Sequence, residues 1–202
     1  MSRRIPAAAV ILAGGRSKRM GRPKHALRIG KACVLDLLAE RLRRVFPRVY
    51  VSVGLRPIRL PAGARAVRDL APGQGPLAGL HAAFAGTREK RIFLVACDMP
   101  LVSEALIRLL WKRARGKSGA VPAGPRGVEP LCGFYARALA PEIRRKLERG
   151  ERSVYSLARV PGMVRVPWSV VRKADPHDRS FLPMNTPREW RRVRGLLLRD
   201  SR

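Results

Sequence analysis

The feature that most constrains the fold is a continuous apolar run over residues 7–12, which ends shortly before Gly14 and Gly15. A short apolar run without alternation is typical of a strand buried on both faces, and such strands occur mainly in parallel sheets covered by helices. Residues 92–96 form a second run of the same character. We therefore expect a parallel sheet with helices on both sides.

Strand and helix patterns alternate along the chain. Leu35, Leu38 and Leu42 lie at helical spacing, and Pro47 ends that pattern. Strands are predicted at 7–12, 49–53, 64–67, 92–96, 119–123 and 129–136, and helices at 34–45, 76–84, 103–115, 139–148 and 187–198, with Ser103 as a helix cap. The alternation predicts one α/β domain over residues 1–202, with a three-layer, doubly wound, mostly parallel, Rossmann-like sheet.

Composition narrows the partners and the compartment. The chain has 43 Lys and Arg against 14 Asp and Glu, a formal net charge of +29, which favours phosphate-bearing partners without choosing among them. Aromatic residues make up only 5%, so no base-stacking platform for nucleic acid is expected. Three scattered cysteines favour a reducing cytoplasm over a disulfide scaffold or a zinc site. No stretch reaches the roughly 20 apolar residues that span a bilayer, so no membrane partner is expected.

The loop after the first strand has the composition of a phosphate cradle. Gly14 and Gly15 permit backbone geometries in which consecutive amides turn toward an anion, and Arg19 and Lys24 supply positive charge. The spacing is neither that of a Walker A loop nor Gly-x-Gly-x-x-Gly. A plain strand-to-helix turn is the alternative, but the position after a buried strand favours nucleotide binding.

Two further loops at the same predicted edge of the sheet contain candidate ligand-binding residues. Asp98 follows the strand at 92–96, and Mg²⁺ commonly binds through one or two carboxylates plus substrate phosphates, so Asp98 is a candidate metal ligand and catalytic residue. The alternative is that Asp98 caps the following helix. In the loop at 69–79, Asp69 can accept hydrogen bonds from a base or a ribose. The helix that begins near Gly75 can donate hydrogen bonds from its first amides to a ligand.

Five motifs occur in a consistent order, namely Leu12-Ala-Gly-Gly-Arg-Ser-Lys-Arg-Met-Gly21 with Lys24, Gly75-Pro-Leu-Ala-Gly79, Cys97-Asp-Met-Pro100, Glu129-Pro-Leu-Cys-Gly-Phe-Tyr135 and Asn185-Thr-Pro187. With these motifs the sequence resembles the molybdenum cofactor guanylyltransferases over residues 9–187. The resemblance implies a sheet like that of the nucleotide-diphospho-sugar transferases. It also implies transfer of GMP from GTP to the terminal phosphate of molybdopterin-bound molybdenum cofactor, with release of pyrophosphate.

The resemblance also implies roles for individual residues. GTP would be contacted by a set at the strand ends, Leu12, Ala13, Gly14, Lys24, Asp69 and Asp98, to which the loop arguments add Gly15 and Gly75. Asp98 would hold Mg²⁺, while Arg19 and Lys24 would offset charge on the leaving pyrophosphate. Glu129 and Asn185 are predicted to line the acceptor pocket, and the alternative for Glu129 and Pro130 is a structural role at the edge of a strand. The expected partners are GTP, the molybdopterin cofactor, and proteins that deliver the cofactor or receive it.

Two departures from the family pattern leave base selectivity open. Pro183 stands where the family often has an Asn, and the stretch at 51–56 lacks the Asn that the family presents to the nucleotide. One alternative is a sister enzyme of the same fold that uses CTP or a sugar phosphate. The other is a basic protein that binds nucleic acid without catalysis.

Overall fold

The computed structural model describes residues 3–14, 23–54, 58–69 and 73–200. The strands are β1 (Ala8–Leu12), β2 (Arg28–Ile29), β3 (Ala32–Cys33), β4 (Arg48–Val53), β5 (Arg65–Arg68), β6 (Arg91–Ala96), β7 (Gly119–Gly124), β8 (Gly127–Val128), β9 (Cys132–Ala136) and β10 (Met163–Pro167). The helices are α1 (Val34–Val45), α2 (Gly75–Ala85), α3 (Glu104–Ala114), α4 (Ala140–Glu148), α5 (Trp168–Ala174) and α6 (Pro187–Asp200). Short 3-10 helices lie at Lys24–Ala26, Arg137–Leu139, Val154–Arg159 and Arg179–Phe181.

The main sheet has β1 near its centre. The strand order is β10-β7-β9-β6-β1-β4-β5, with β8 added to β7, among the described residues. β1 pairs in parallel with β4 on one side and β6 on the other, so that Leu12 lies opposite both Ser52 and Ala96. β9 is antiparallel to both of its neighbours, β6 and β7. The sheet is therefore mixed and mostly parallel, as predicted.

Two cores lie on opposite faces of this sheet. The side chains of Ala9 and Ile11 in β1 pack in the core that includes α1 and α3, whereas Val10 and Leu12 pack in the core that includes α2 and α4. All five residues of β1 are buried, which explains their uninterrupted apolar character. The prediction of three layers is confirmed.

Side-chain hydrogen bonds cap the first turns of α3 and α1. Ser103 caps α3, since its Oγ accepts from the Leu106 amide at 3.0 Å. At the start of α1 the Asp36 carboxylate accepts from the Cys33 amide at 3.0 Å and from the Cys33 thiol at 3.0 Å. The bounds of α1 are those expected from the sequence.

The second half of the chain departs from the predicted pattern. The strand predicted at 129–136 begins only at Cys132, because Pro130 has no amide proton and the Cys132 amide donates to the Glu129 carbonyl at 3.1 Å, closing a turn. The short helix α5 and the strands β8 and β10 were not predicted, and neither were β2 and β3 in the first half of the chain. A third, smaller core joins α6 to Leu27, Ile29 and Leu101.

In the part of the chain that the structure describes, no helix is long and apolar enough to cross a membrane.

We predict that Phe93→Ala lowers the free energy of unfolding by about 3–5 kcal/mol, because it opens a cavity in a packed core. Phe93 is fully buried, and its ring centroid lies 5.5 Å from that of Phe46 and 5.0 Å from that of Phe134. Urea unfolding measures the change. Leu198→Ala is the control, since Leu198 is 45% exposed, and its effect should stay within about 0.5 kcal/mol. Equal losses in the two variants would contradict this packing.

Candidate active site

The carboxyl ends of the central strands meet at one edge of the sheet. The Cys97 amide, just after β6, donates to the Leu12 carbonyl at the end of β1 at 3.1 Å. The Asp69 amide, after β5, donates to the Val53 carbonyl at the end of β4 at 3.0 Å. Parallel pairing thus brings the loops that follow β1, β4, β5 and β6 together, as the sequence predicted.

Lys24 links three motif segments at this edge. Its ammonium donates to Asp98 Oδ2 at 2.7 Å and also to Asn185 Oδ1. Lys24 lies in the short helix after the glycine loop, Asp98 follows β6, and Asn185 precedes α6. The Lys24 side chain is 16% exposed and that of Asp98 is 32% exposed, so the pair is partly shielded while still open to a ligand. The candidate catalytic residues Lys24 and Asp98 therefore lie together, in contact with Asn185.

Asp98 is not the cap of the next helix. Ser103 Oγ fills that role by accepting from the Leu106 amide, and Asp98 instead pairs with Lys24. The helix-cap alternative is thus wrong. Asp98 remains available to the cleft at the strand edge.

A capping box at the start of α6 positions Asn185. Glu189 Oε2 accepts from the amides of Asn185 at 2.7 Å and Thr186 at 3.0 Å, while Thr186 Oγ1 accepts from the Glu189 amide at 3.2 Å. The hydrogen bond from the Asn185 amide is the main cause that holds the pKa of Glu189 below its ordinary value, helped by the charge of Lys24. The backbone that carries Asn185 is thereby fixed beside Lys24.

A cleft of about 340 Å³ opens next to Asp98. Its walls are mostly apolar, and its polar side chains are those of Asp98, Glu129, Ser153 and Tyr155. The lining comprises Pro76, Ala96, Asp98, Met99, Val128, Glu129, Pro130, Leu131, Ser153, Val154, Tyr155, Phe181, Leu182 and Pro183. The cleft thus receives segments from both halves of the chain. Pro183 contributes an apolar surface to it.

The loop that carries Glu129 is held by buried hydrogen bonds. The Glu129 amide donates to the Pro122 carbonyl at 2.9 Å, and the buried Tyr135 hydroxyl donates to the Pro130 carbonyl at 2.7 Å. Burial raises the pKa of the Glu129 carboxyl, an effect that the nearby charge of Arg126 opposes and that of Asp98 reinforces. Glu129 therefore presents a partly desolvated carboxylate from a fixed backbone.

The remaining predicted nucleotide residues are spread along the strand edge. Leu12 and Ala13 are buried, Gly14 is exposed, and Asp69 is half-buried at the end of β5. Gly15 and Arg19 lie outside the described residues.

Gly75 has a structural reason to be glycine. Its φ is +81°, and a Cβ there would lie 2.6 Å from the Arg152 carbonyl oxygen. The Leu77 amide donates to that same carbonyl at 3.1 Å, so one of the first amides of α2 is engaged within the protein. In the described part of the chain, Gly75 itself does not line the cleft beside Asp98, although its neighbour Pro76 does.

Sequence reasoning missed several residues of the cleft. Tyr155 and Phe181 lie in short 3-10 helices that carry no strong periodic signal. The capping box at α6 was readable as Thr186-Pro-Arg-Glu189, a Thr followed three residues later by Glu. The contact of Lys24 with Asn185 could not be found in this way, because it joins positions 161 residues apart.

A doubly wound sheet with a glycine-rich sequence after β1 and a carboxylate after β6 is the arrangement expected of a nucleotidyltransferase. The comparison with protein families agrees, since the model of the MobA-like NTP transferase domain matches residues 9–163. That match covers more than half of the chain, and the chain therefore belongs to this family.

Individual relatives show the same relationship. The chain is 37% identical over 159 residues to a probable molybdenum cofactor guanylyltransferase of Pelotomaculum thermopropionicum, covering 77% of this chain and 78% of the relative. It is 31% identical over 197 residues to the molybdenum cofactor guanylyltransferase of Cereibacter sphaeroides, covering 95% and 97%. The crystal structure of molybdopterin-guanine dinucleotide biosynthesis protein A from Archaeoglobus fulgidus has a TM-score of 0.79 at 23% identity, covering 95% and 99%.

The residues present fit a metal ion that takes most of its ligands from a substrate. Asp98 offers a partly exposed carboxylate at the strand edge. Among the described residues, no group of three or more His, Cys, Asp or Glu could hold a metal ion by itself. Such a donor set suits Mg²⁺ or Mn²⁺ bound through one or two carboxylates plus phosphates. A structural neighbour from Mycobacterium tuberculosis, with a TM-score of 0.66 at 20% identity over 93% of this chain and 97% of its own, was crystallised with manganese.

We predict that Glu189→Gln removes a pH-dependent part of the stability. The carboxylate form of Glu189 is favoured in the folded protein, so its contribution is present above its ordinary pKa of about 4.5 and disappears as the pH falls below that value. The urea midpoints of wild type and Glu189→Gln should therefore differ at neutral pH and converge in acid.

Glu148→Gln is the matched control for this pH series. Glu148 pairs with Arg144 in an exposed turn of α4, and in the described part of the chain no backbone amide donates to its side chain. The urea midpoint of Glu148→Gln should differ from that of wild type by the same amount at every pH. Convergence in acid of both variants alike would refute the capping role of Glu189.

Proposed function

We propose that this chain transfers GMP from GTP to the terminal phosphate of molybdopterin-bound molybdenum cofactor, giving the guanine dinucleotide cofactor and pyrophosphate. The observation that carries the proposal is the contact of Lys24 with Asp98 and Asn185, which joins three family motifs at the carboxyl edge of the sheet. The names of the relatives supply the donor and the acceptor.

The reaction exchanges one phosphorus–oxygen bond for another. An oxygen of the acceptor phosphate forms a bond to the α-phosphorus of GTP, and the bond from that phosphorus to the bridging oxygen breaks. The electron pair leaves with pyrophosphate. An acceptor phosphate is already anionic near neutral pH, so no protein nucleophile is required. Catalysis is then mainly positioning and charge stabilisation.

Lys24 and Arg19 are proposed to supply positive charge to the phosphates. Lys24 Nζ has three protons to donate, and it already reaches the strand edge where Asp98 lies. A phosphate group bound there shares these donors, so negative charge that develops on the leaving pyrophosphate is met by a cation already in place. Arg19, which precedes Lys24 in the sequence, would add a second charge.

We propose that Asp98 holds Mg²⁺ together with the phosphates of GTP. When bound there, the ion would neutralise phosphate charge and orient the phosphates for displacement. Asp98 keeps its carboxylate at the strand edge through the Lys24 contact, which fixes the side chain without enclosing it.

The other predicted roles belong to the same proposal. Leu12, Ala13, Gly14, Gly15, Asp69 and Gly75 form the nucleotide side, and Glu129 and Asn185 form the acceptor side. One domain would carry both. The three cysteines are free thiols, which suits a cytoplasmic enzyme that exchanges its labile cofactor with delivery proteins and molybdoenzymes.

We predict that purified protein with Mg²⁺ and molybdopterin cofactor releases pyrophosphate from GTP much faster than from CTP. Coupled pyrophosphate detection and mass spectrometry of the dinucleotide product measure both reactions. Equal turnover with GTP and CTP, or none with GTP, would overturn the choice of substrate and favour the sister enzymes that use CTP. Release without the acceptor would indicate hydrolysis instead.

We predict that Asp98→Asn abolishes turnover while the free energy of unfolding changes by less than about 1 kcal/mol, because the Asp98 side chain keeps 32% exposure and the amide oxygen of Asn can still accept from Lys24. The matched control is Asp200→Asn. Asp200 has 34% side-chain exposure and pairs with Arg41 at 3.1 Å, so it resembles Asp98 in burial and pairing but lies in α6 outside the cleft. Full activity is expected for the control. An active Asp98→Asn variant would remove the proposed metal site.

A further inference from the structure

One carboxylate in the cleft has no hydrogen-bond or ion-pair partner among the residues that the structure describes. The side chain of Glu129 lines the cleft, and among the described residues it makes neither a hydrogen bond nor an ion pair, although Arg126 and Asp98 act on it through their charges. Burial disfavours a carboxylate that lacks donors. A ligand with donors of its own would satisfy it.

The walls beside Glu129 suit a flat ring. Tyr155 lines the cleft and is 46% exposed, which is unusual for so large a side chain. At the backbone, the Tyr155 amide donates to Ser153 Oγ at 3.1 Å. At the hydroxyl, a Cβ on Gly127 would collide with the Tyr155 oxygen, so glycine makes room for it.

Phe181 adds a second aromatic surface to the same cleft. Its ring centroid lies 4.7 Å from that of Trp168, which supports it within the protein. Trp168 in turn fits against Gly124, where a Cβ would lie 2.7 Å from the indole. The cleft therefore combines the exposed ring of Tyr155 and the supported ring of Phe181 with a carboxylate that receives no hydrogen bond from the described residues.

Resting on the proposed function, we propose that Glu129 reads the pterin of the acceptor. Its two carboxylate oxygens would accept hydrogen bonds from the 2-amino group and from the adjacent ring N–H of a 2-amino-4-oxopteridine. The pteridine ring would then lie against Tyr155. A carboxylate matches two parallel N–H donors in one plane, and such charge-assisted pairs are strong and geometrically selective. Glu129 is then a specificity-determining residue for the acceptor.

The position of Glu129 in the sheet separates it from the nucleotide side. Guanine carries a similar pair of N–H donors, but the proposed nucleotide residues follow β1 and β5, whereas Glu129 lies between β8 and β9 on the other side of β6. Asp98, after β6, lies between the two groups. This arrangement assigns Glu129 to the acceptor.

Two soluble probes that differ at one group test the assignment. The first is 6-hydroxymethylpterin, and the second is 6-hydroxymethyllumazine, which has a carbonyl in place of the 2-amino group and would turn an oxygen toward Glu129. Wild type should bind the pterin at least about tenfold more tightly, because a site built to accept donors rejects the analogue that lacks one. Fluorescence titration of each pteridine gives both dissociation constants.

Two variants separate recognition from packing. Glu129→Gln should reduce the preference for pterin to near unity, because an amide can donate to the lumazine carbonyl. Tyr155→Leu should weaken the binding of both probes by the same factor and leave the ratio of their dissociation constants unchanged. A stacked ring contacts the face of the pteridine and does not distinguish an amino group from a carbonyl at position 2. A preference that survives in Glu129→Gln, or its absence in wild type, would overturn the proposal.

Steady-state kinetics distinguish this inference from the proposed function. Glu129→Gln should raise the KM for molybdopterin cofactor about tenfold or more, with the KM for GTP and the Mg²⁺ requirement unchanged. A raised KM for GTP would place guanine at Glu129, and a raised Mg²⁺ requirement would make it a metal ligand; either result overturns the inference while GMP transfer stands. If wild type transfers no GMP to the cofactor, the proposed function fails, whereas the preference for pterin over lumazine is decided separately.

Discussion

The burial of β1 on both faces is the constraint on which the rest of the structure depends. Its five residues contact two cores at once, and its two edges are paired with β4 and β6. A polar side chain within β1 would be buried in one of the two cores, which is unfavourable. Residues that bind ligands therefore lie beyond the end of the strand. Because β4 and β6 run parallel to β1, the loops that follow these three strands begin at the same edge of the sheet. Lys24 and Asp98 meet there.

The site is closed by a segment that is remote in sequence. Asn185 reaches Lys24 because α6 packs through a small separate core against Leu27 and Ile29, directly after the helix that carries Lys24. The capping box then fixes the first turn of α6. Hydrophobic contact thus sets the distance between the two segments, and hydrogen bonds set the orientation of the side chains.

The sequence was most informative where local periodicity and burial agree. The runs that became β1 and β6, the helix α1 and the Ser103 cap are all determined by residues close together in the chain, and the loops at their ends could be placed from parallel topology alone. Between Glu129 and Cys132 a turn interrupts the predicted strand, because Pro130 cannot donate to the ladder. Tyr155 and Phe181 join the cleft through tertiary packing of short 3-10 helices, and that packing has no period in the sequence.

The capped start of α6 has a consequence for the order of events during synthesis. Lys24 leaves the ribosome early, yet its partner Asn185 follows 161 residues later, a delay of roughly 10 to 30 seconds at ordinary rates of elongation. Over that interval a growing chain can form the central strands and bring Lys24 toward Asp98, but it lacks the segment that completes the contact. Assembly of the cleft is therefore a late event, and a chain halted before Asn185 would carry the central motifs of the family without the contact to Lys24.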